Sequence, residues 1–258
     1  MNHNAPAALI LLGRGGLGPA AQEEMANMIA GVEAALPDVQ VTAAFVDREA
    51  PSLPDALDVC ATAERIVVQP VFSPGDKALL RWLQKVALRW RSAQPAGRSL
   101  PEIAFAPALG SLPELAELLA RQACKAADLP DVAASAGKDW ARDPLAWSNV
   151  PPHQRHVLFC LGPRCAALGG VALWQHLGER LRATGKLQKT VMMLQTSCQY
   201  PCNHGPLMIV YPDGNWYGRL DEAAIDRIVE QHLDQGTVDA ASCIHRLGET
   251  QTLDSAVR

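Results

Sequence analysis

Between residues 7 and 127 short apolar runs alternate with stretches of helical periodicity: AALILL, then 19–36, VQVTAAFV, 53–61, RIVVQPVF, 76–92, EIAFAPA and 111–127. No other feature limits the fold as strongly. Strands that read as nearly continuous apolar runs are buried on both faces, and the helices between them supply the crossovers of a parallel sheet. The segment from 111 opens SLPELAE: Ser111 can cap, Pro113 suits the first turn, and Glu114 and Glu117 favour the amino end.

The pattern changes in the second half. Residues 127–154 mix proline, alanine and alternating charges without a sustained period, which predicts a connector between two domains. Trp140 and Trp147 lie in it, and large aromatics in a connector are expected to pack on something. From 155 to 235 the order is strand, helix, strand, a hairpin turning near Asp213-Gly214-Asn215, and a helix from Asp221 to about His232. That order is a thioredoxin-like α/β plan. Residues 236–258 carry no motif and are expected to form a tail.

A chain of 258 residues with 48% hydrophobic and 19% charged residues can bury a core in each of two domains. Through residue 126 there are 11 basic and 13 acidic residues, and after it 12 and 14, so each half is near −2. Nucleic-acid binding, which requires an excess of Lys and Arg, is not suggested. The start, MNHNAPAALILLGRGG, has six apolar residues before glycine and no basic flank, which predicts neither a signal peptide nor a membrane span. A cytoplasmic protein is expected. In a reducing compartment, clustered thiols point to metal, cluster or redox chemistry more than to disulfides.

Four of the seven cysteines form two close pairs, Cys160 and Cys165 in FCLGPRCAALGG and Cys198 and Cys202 in TSCQYPCNHGP. Each pair follows a predicted strand, where loops in such a fold converge on ligands. A [2Fe–2S] cluster requires four thiolates, two per iron, and loops bent by Gly162, Pro163, Pro201 and Gly205 can supply them. Four thiolates in two short-spaced pairs also suit tetrahedral zinc. Buried structural thiols remain a third reading, and neither pair has the C-x-x-C spacing of a dithiol active site. Cys60, Cys124 and Cys243 lie outside the pattern and read as ordinary thiols.

Residues 155–234, with FCLGPRCAALGG, CQYPCNHGPLMIVYPDGNWYG and the following helix, resemble the thioredoxin-like [2Fe–2S] ferredoxins. The resemblance implies a [2Fe–2S] cluster held by Cys160, Cys165, Cys198 and Cys202, one-electron transfer, and a redox partner protein.

Residues 7–125, with APSLPDAL and PALGSLPELAELL, resemble the small sirohydrochlorin cobalt and iron chelatases, which implies a parallel-sheet domain that handles a tetrapyrrole and can pair as a homodimer. The family's two metal-handling histidines are replaced by Arg14 in GRGG and Asp76 in SPGDK, and no histidine lies between His3 and His153. A guanidinium neither holds a metal ion nor accepts a pyrrole proton. Asp47 stands where the family usually has glutamate. Lys77, Arg81, Lys85 and Arg89 recur every four residues, with no acidic residue from 77 to 101. Such a stripe is either a solvated helix face or a surface for carboxylates.

The sequence therefore predicts a chelatase-like domain over 1–126, a connector over 127–154, a ferredoxin-like domain over 155–235 and a tail over 236–258. The expected function is electron transfer, with Arg14, Asp47, Asp76, Lys77 and Arg81 binding a tetrapyrrole or a partner enzyme and no catalytic residue assigned. The alternatives are an active chelatase with an accessory cluster and a non-catalytic scaffold or cluster sensor. No membrane or nucleic-acid partner is expected.

Overall fold

The computed structural model describes residues 7–16, 19–135, 137, 141–187 and 189–249. They form two compact units, one built on a sheet that precedes residue 150 and one built on a sheet that follows it.

The first unit runs β1 (Ala8–Gly13), α1 (Ala20–Ala35), β2 (Gln40–Phe45), α2 (Leu53–Val59), β3 (Arg65–Pro70), α3 (Lys77–Ser92), β4 (Glu102–Phe105), α4 (Pro113–Ala126) and the single turn α5 (Val132–Ser135). Its four strands are parallel in the order β2-β1-β3-β4, the arrangement the alternating apolar runs predict. Because successive side chains point to opposite faces, Leu9 and Leu11 pack under Met25, Met28, Ile29 and Val32 of α1. Ile10, Ile66 and Val68 point the other way and are fully buried. On α3, the Trp90 indole N–H donates to Asp58 at 2.7 Å, which ties that helix to the end of α2.

Two local expectations fail in this unit. Ser111 does not cap α4: residues Leu109–Ser111 make a 3-10 turn in which its hydroxyl donates to the Ala108 carbonyl at 2.7 Å, so the helix starts at Pro113 with Leu112 in the cap position. Trp147 ends another 3-10 turn and is 76% exposed, so it does not pack as expected. Trp140 lies outside the described residues.

The second unit runs β5 (Arg155–Cys160), α6 (Pro163–Ala166), α7 (Gly170–Ala183), β6 (Val191–Thr196), β7 (Met208–Tyr211), β8 (Asn215–Tyr217), α8 (Glu222–Arg227) and β9 (Cys243–His245). The sheet order is β6-β5-β7-β8-β9, with β5 and β6 parallel and the later pairs antiparallel. This is the thioredoxin-like plan. Gly214, at φ 68°, takes the left-handed conformation that the β7–β8 turn requires. Phe159, Leu177, Leu181, Met208 and Ile225 centre the core, and α8 continues as a π-helix over Ile228–Asp234.

The segment read as a tail contains structure. β9 pairs antiparallel with β8, Trp216 opposite His245 and Tyr217 opposite Cys243. A three-residue strand is too short to show a period in sequence, and only the pairing with β8 reveals it. Residues 250–258 lie outside the described residues.

Candidate metal centre

Three strand ends meet at one edge of the second sheet. Cys160 ends β5 in register with Thr196, which ends the parallel neighbour β6, and antiparallel β7 starts beside them with Met208 opposite Phe159. The loops leaving β5 and β6 and the loop entering β7 therefore share one end of the sheet. Both cysteine pairs lie in those loops.

The pairs differ in burial. Cys160 and Cys165 are each 1% exposed and cluster with Leu207 and Ile244, whereas Cys198 is exposed and Cys202 half-buried. The sulfurs of Cys198 and Cys202 are 3.1 Å apart. Tyr200 between them has φ 49°, a strained left-handed conformation for a non-glycine residue, in the loop that folds back to bring the two sulfurs together. Gly162 locks the loops against each other, because a Cβ there would lie 2.9 Å from the Cys198 backbone. A Cβ on Gly205 would lie 3.1 Å from the Cys165 sulfur.

Backbone amides aim at the inner sulfurs. Gln199 and Gly162 donate N–H bonds to Cys160, and Leu207 donates one to Cys165. The hydrogen bond from Cys165, followed by these amides, outweighs burial and lowers Cys160 to about 6. The same bond, then burial, holds the Cys165 proton in place and raises that thiol. Burial first, then the hydrogen bond with Cys198, pushes Cys202 up to about 11, against the pull of the Arg164 guanidinium. Thiolates packed this closely repel one another, and a cationic centre among them relieves that repulsion. The donor set fits an iron–sulfur group, with soft sulfur ligands in two pairs and amides to hydrogen-bond them. Among the described residues no three Cys, His, Asp or Glu side chains converge on a point suited to one metal ion. The amides of Gln199 and Leu207 were not legible in sequence, since their role depends on backbone direction.

In the first unit, Arg14 is exposed just after β1, and Lys77 and Arg81 are exposed one turn apart on α3. Asp47 follows β2 and is 5% exposed, in a segment, 46–52, that groups with the second unit and not with the first. Asp76 is the cap of α3: its carboxylate accepts from the amides of Ala78 at 2.8 Å and Leu79 at 3.0 Å. An aspartate directly before an amphipathic run is a cap signal, and it was readable in GDKALL.

Fold and thiols together define a thioredoxin-like protein with a four-cysteine strand-end site. The chain is similar to a 2Fe-2S ferredoxin of Aquifex aeolicus (strain VF5), 34% identical over 90 residues that span 32% of this chain and 81% of that protein. A 2Fe-2S ferredoxin of Clostridium pasteurianum is 31% identical over 96 residues, 34% of this chain and 91% of that one. A solved thioredoxin-like [2Fe–2S] ferredoxin from Aquifex aeolicus covers 38% of this chain and 96% of its own at 31% identity, with a TM-score of 0.35. Residues 8–126 match the family model CbiX. The chain belongs to the [2Fe–2S] ferredoxins through its carboxyl-terminal part, and that part follows the stretch matched by the CbiX model. No helix among the described residues is long and apolar enough to cross a membrane.

Proposed function

We propose that this chain is an electron carrier whose [2Fe–2S] cluster is held by Cys160, Cys165, Cys198 and Cys202. The observation that carries this reading is the convergence of the two thiol pairs at one sheet end, where Gly162 meets Cys198 and backbone amides face the sulfurs. The cluster supplies one-electron chemistry at a potential well below zero, as all-thiolate ligation implies. Cys160 and Cys165 anchor it from the buried side, Arg164 offsets negative charge, and the exposed Cys198 side faces a redox partner protein. The chelatase-like domain binds either a carboxylate-rich tetrapyrrole or a partner enzyme through Arg14, Lys77 and Arg81. Asp76 holds the start of α3 in place, and Asp47 follows β2.

A chelatase reading draws support from the CbiX match. Against it stand Arg14 and Asp76 at the two histidine positions, since a guanidinium repels an incoming divalent ion and a capping carboxylate is already engaged. Anaerobically purified protein is expected to be brown, to contain roughly two iron and two sulfide per chain, and to give a rhombic EPR signal on one-electron reduction. Stoichiometric zinc in an iron-replete preparation rejects the cluster. Insertion of cobalt or iron into sirohydrochlorin well above the uncatalysed rate makes the chelatase reading the leading one.

A further inference from the structure

β4 is the edge strand of the first sheet and pairs only with β3 among the described residues. The Glu102 amide donates inward to Glu64 at 2.9 Å and the Ala106 amide to Val68 at 2.9 Å. With a period of two, the N–H and C=O groups of Ile103 and Phe105 point away from the sheet. Proline at 101 and 107 removes the next donors on either side, so the free edge is short. The side chains of Ile103 and Phe105 turn toward α3 and line a groove of about 270 Å³ with Gln84, Ala87, Leu88 and Arg91. Its floor is apolar, and Leu88 is 60% exposed at its mouth. Lys85, Arg89 and Arg91 are exposed, and among the described residues none of them is in an ion pair. The acidic residue of β4, Glu102, projects to the opposite face and pairs with Arg65 at 3.2 Å.

We propose that this edge takes a short, extended, acidic segment of another protein by strand addition. Ile103 and Phe105 supply the ladder, the groove takes one apolar side chain, and Arg91 with Arg89 and Lys85 takes the flanking carboxylates. A second copy is the poorer occupant, because pairing two β4 edges brings two cationic α3 helices together. The surface lies in the chelatase-like unit and is independent of the cluster, so iron content and peptide binding are read separately.

The test uses the full, cluster-loaded chain and a capped hexapeptide with one phenylalanine, aspartate two residues away on each side and threonine at the remaining positions, so that the carboxylates share the face of the apolar side chain. Saturable shifts and slowed hydrogen exchange at the Ile103 and Phe105 amides are expected. Arg91→Glu and Leu88→Asp, both surface changes checked for folding by circular dichroism and for iron content, should each weaken binding tenfold or more. A peptide N-methylated on its ladder-forming side should lose binding to the same extent. The proposal is overturned if the N-methylated peptide or a lysine-for-aspartate peptide binds equally well, or if millimolar peptide gives no saturable shift. It is also overturned if the same amides shift with protein concentration alone, which assigns the edge to a second copy, or if they respond to uroporphyrin instead of peptide, which assigns the groove to a tetrapyrrole.

Discussion

At the scale of single residues, the seven cysteines sort by what surrounds them. Cys198 and Cys202 meet sulfur to sulfur, and Cys160 and Cys165 share a hydrogen bond under a lid of Leu207 and Ile244. Serine at Cys198 or Cys202 is expected to bleach the visible spectrum and cut iron content at least severalfold. Serine at Cys124 or Cys243 should leave both unchanged. Cys60 is fully buried in the first unit, and burial raises its thiol. Cys60→Ser is therefore expected to cost on the order of 1–3 kcal/mol in that unit's melting without touching the cluster. Bleaching by Cys243→Ser alone contradicts the ligand assignment. Asp76 gives a second test, because a cap and a ligand-binding carboxylate respond differently to the same change. Asp76→Ala should destabilise the first unit by about 1 kcal/mol, and Asp76→Asn, which still accepts the two amides, should restore most of it. If Asn fails as badly as Ala in thermal melts, the charge rather than the cap matters.

At the scale of elements, one network runs from the core of the second unit to its surface. The Tyr217 hydroxyl meets His232 Nδ1 at 2.7 Å, His232 Nε2 lies 3.4 Å from Asp213, and Arg155 donates to Asp213 at 2.8 Å. Burial holds His232 below its usual value of 6.5. For Asp213 burial pushes upward, but the Arg155 hydrogen bond and charge prevail and lower it. Both directions give the same sign. The unfolded chain takes up a proton on the histidine below about pH 6.5 while the folded chain resists it, so stability falls with acidification from there; Asp213 adds its loss below the ordinary carboxylate range. Denaturant melts of the second unit between pH 7 and 5 should show this slope, and His232→Gln should flatten it. An unchanged slope in that variant removes His232 from the account.

The same elements mark what the sequence could and could not disclose. Strands buried on both faces announce themselves as apolar runs, and the cysteine pairs stand out by spacing within their own loops. Ser111 looked like a cap but bonds back to Ala108, because a 3-10 turn intervenes. The inward-facing amides of Gln199 and Leu207, the brevity of β9, and the π-helical continuation of α8 depend on partners distant in sequence. Local pattern carries no record of them.

At the scale of the whole molecule, two units with separate cores, only one of which carries the four-cysteine site, should respond separately to loss of the cofactor. Ligand binding energy that is released on folding stabilises only the unit that holds the ligand. Removing the cluster anaerobically with a chelator is expected to lower protection in residues 155–249 and leave the first unit's amide exchange unchanged. Calorimetry should then resolve two transitions, only one of which moves. Simultaneous opening of both sheets contradicts this.

The last strand has a further consequence for how such a chain matures. Ile244 of β9 packs against the inner thiol pair, yet it is encoded well downstream of Cys202. On an emerging chain all four sulfurs are made before the strand that covers two of them exists. The packing of the inner pair is thus completed by a segment made after all four thiols, and a chain cut short before β9 keeps every sulfur while losing the Ile244 side of that packing.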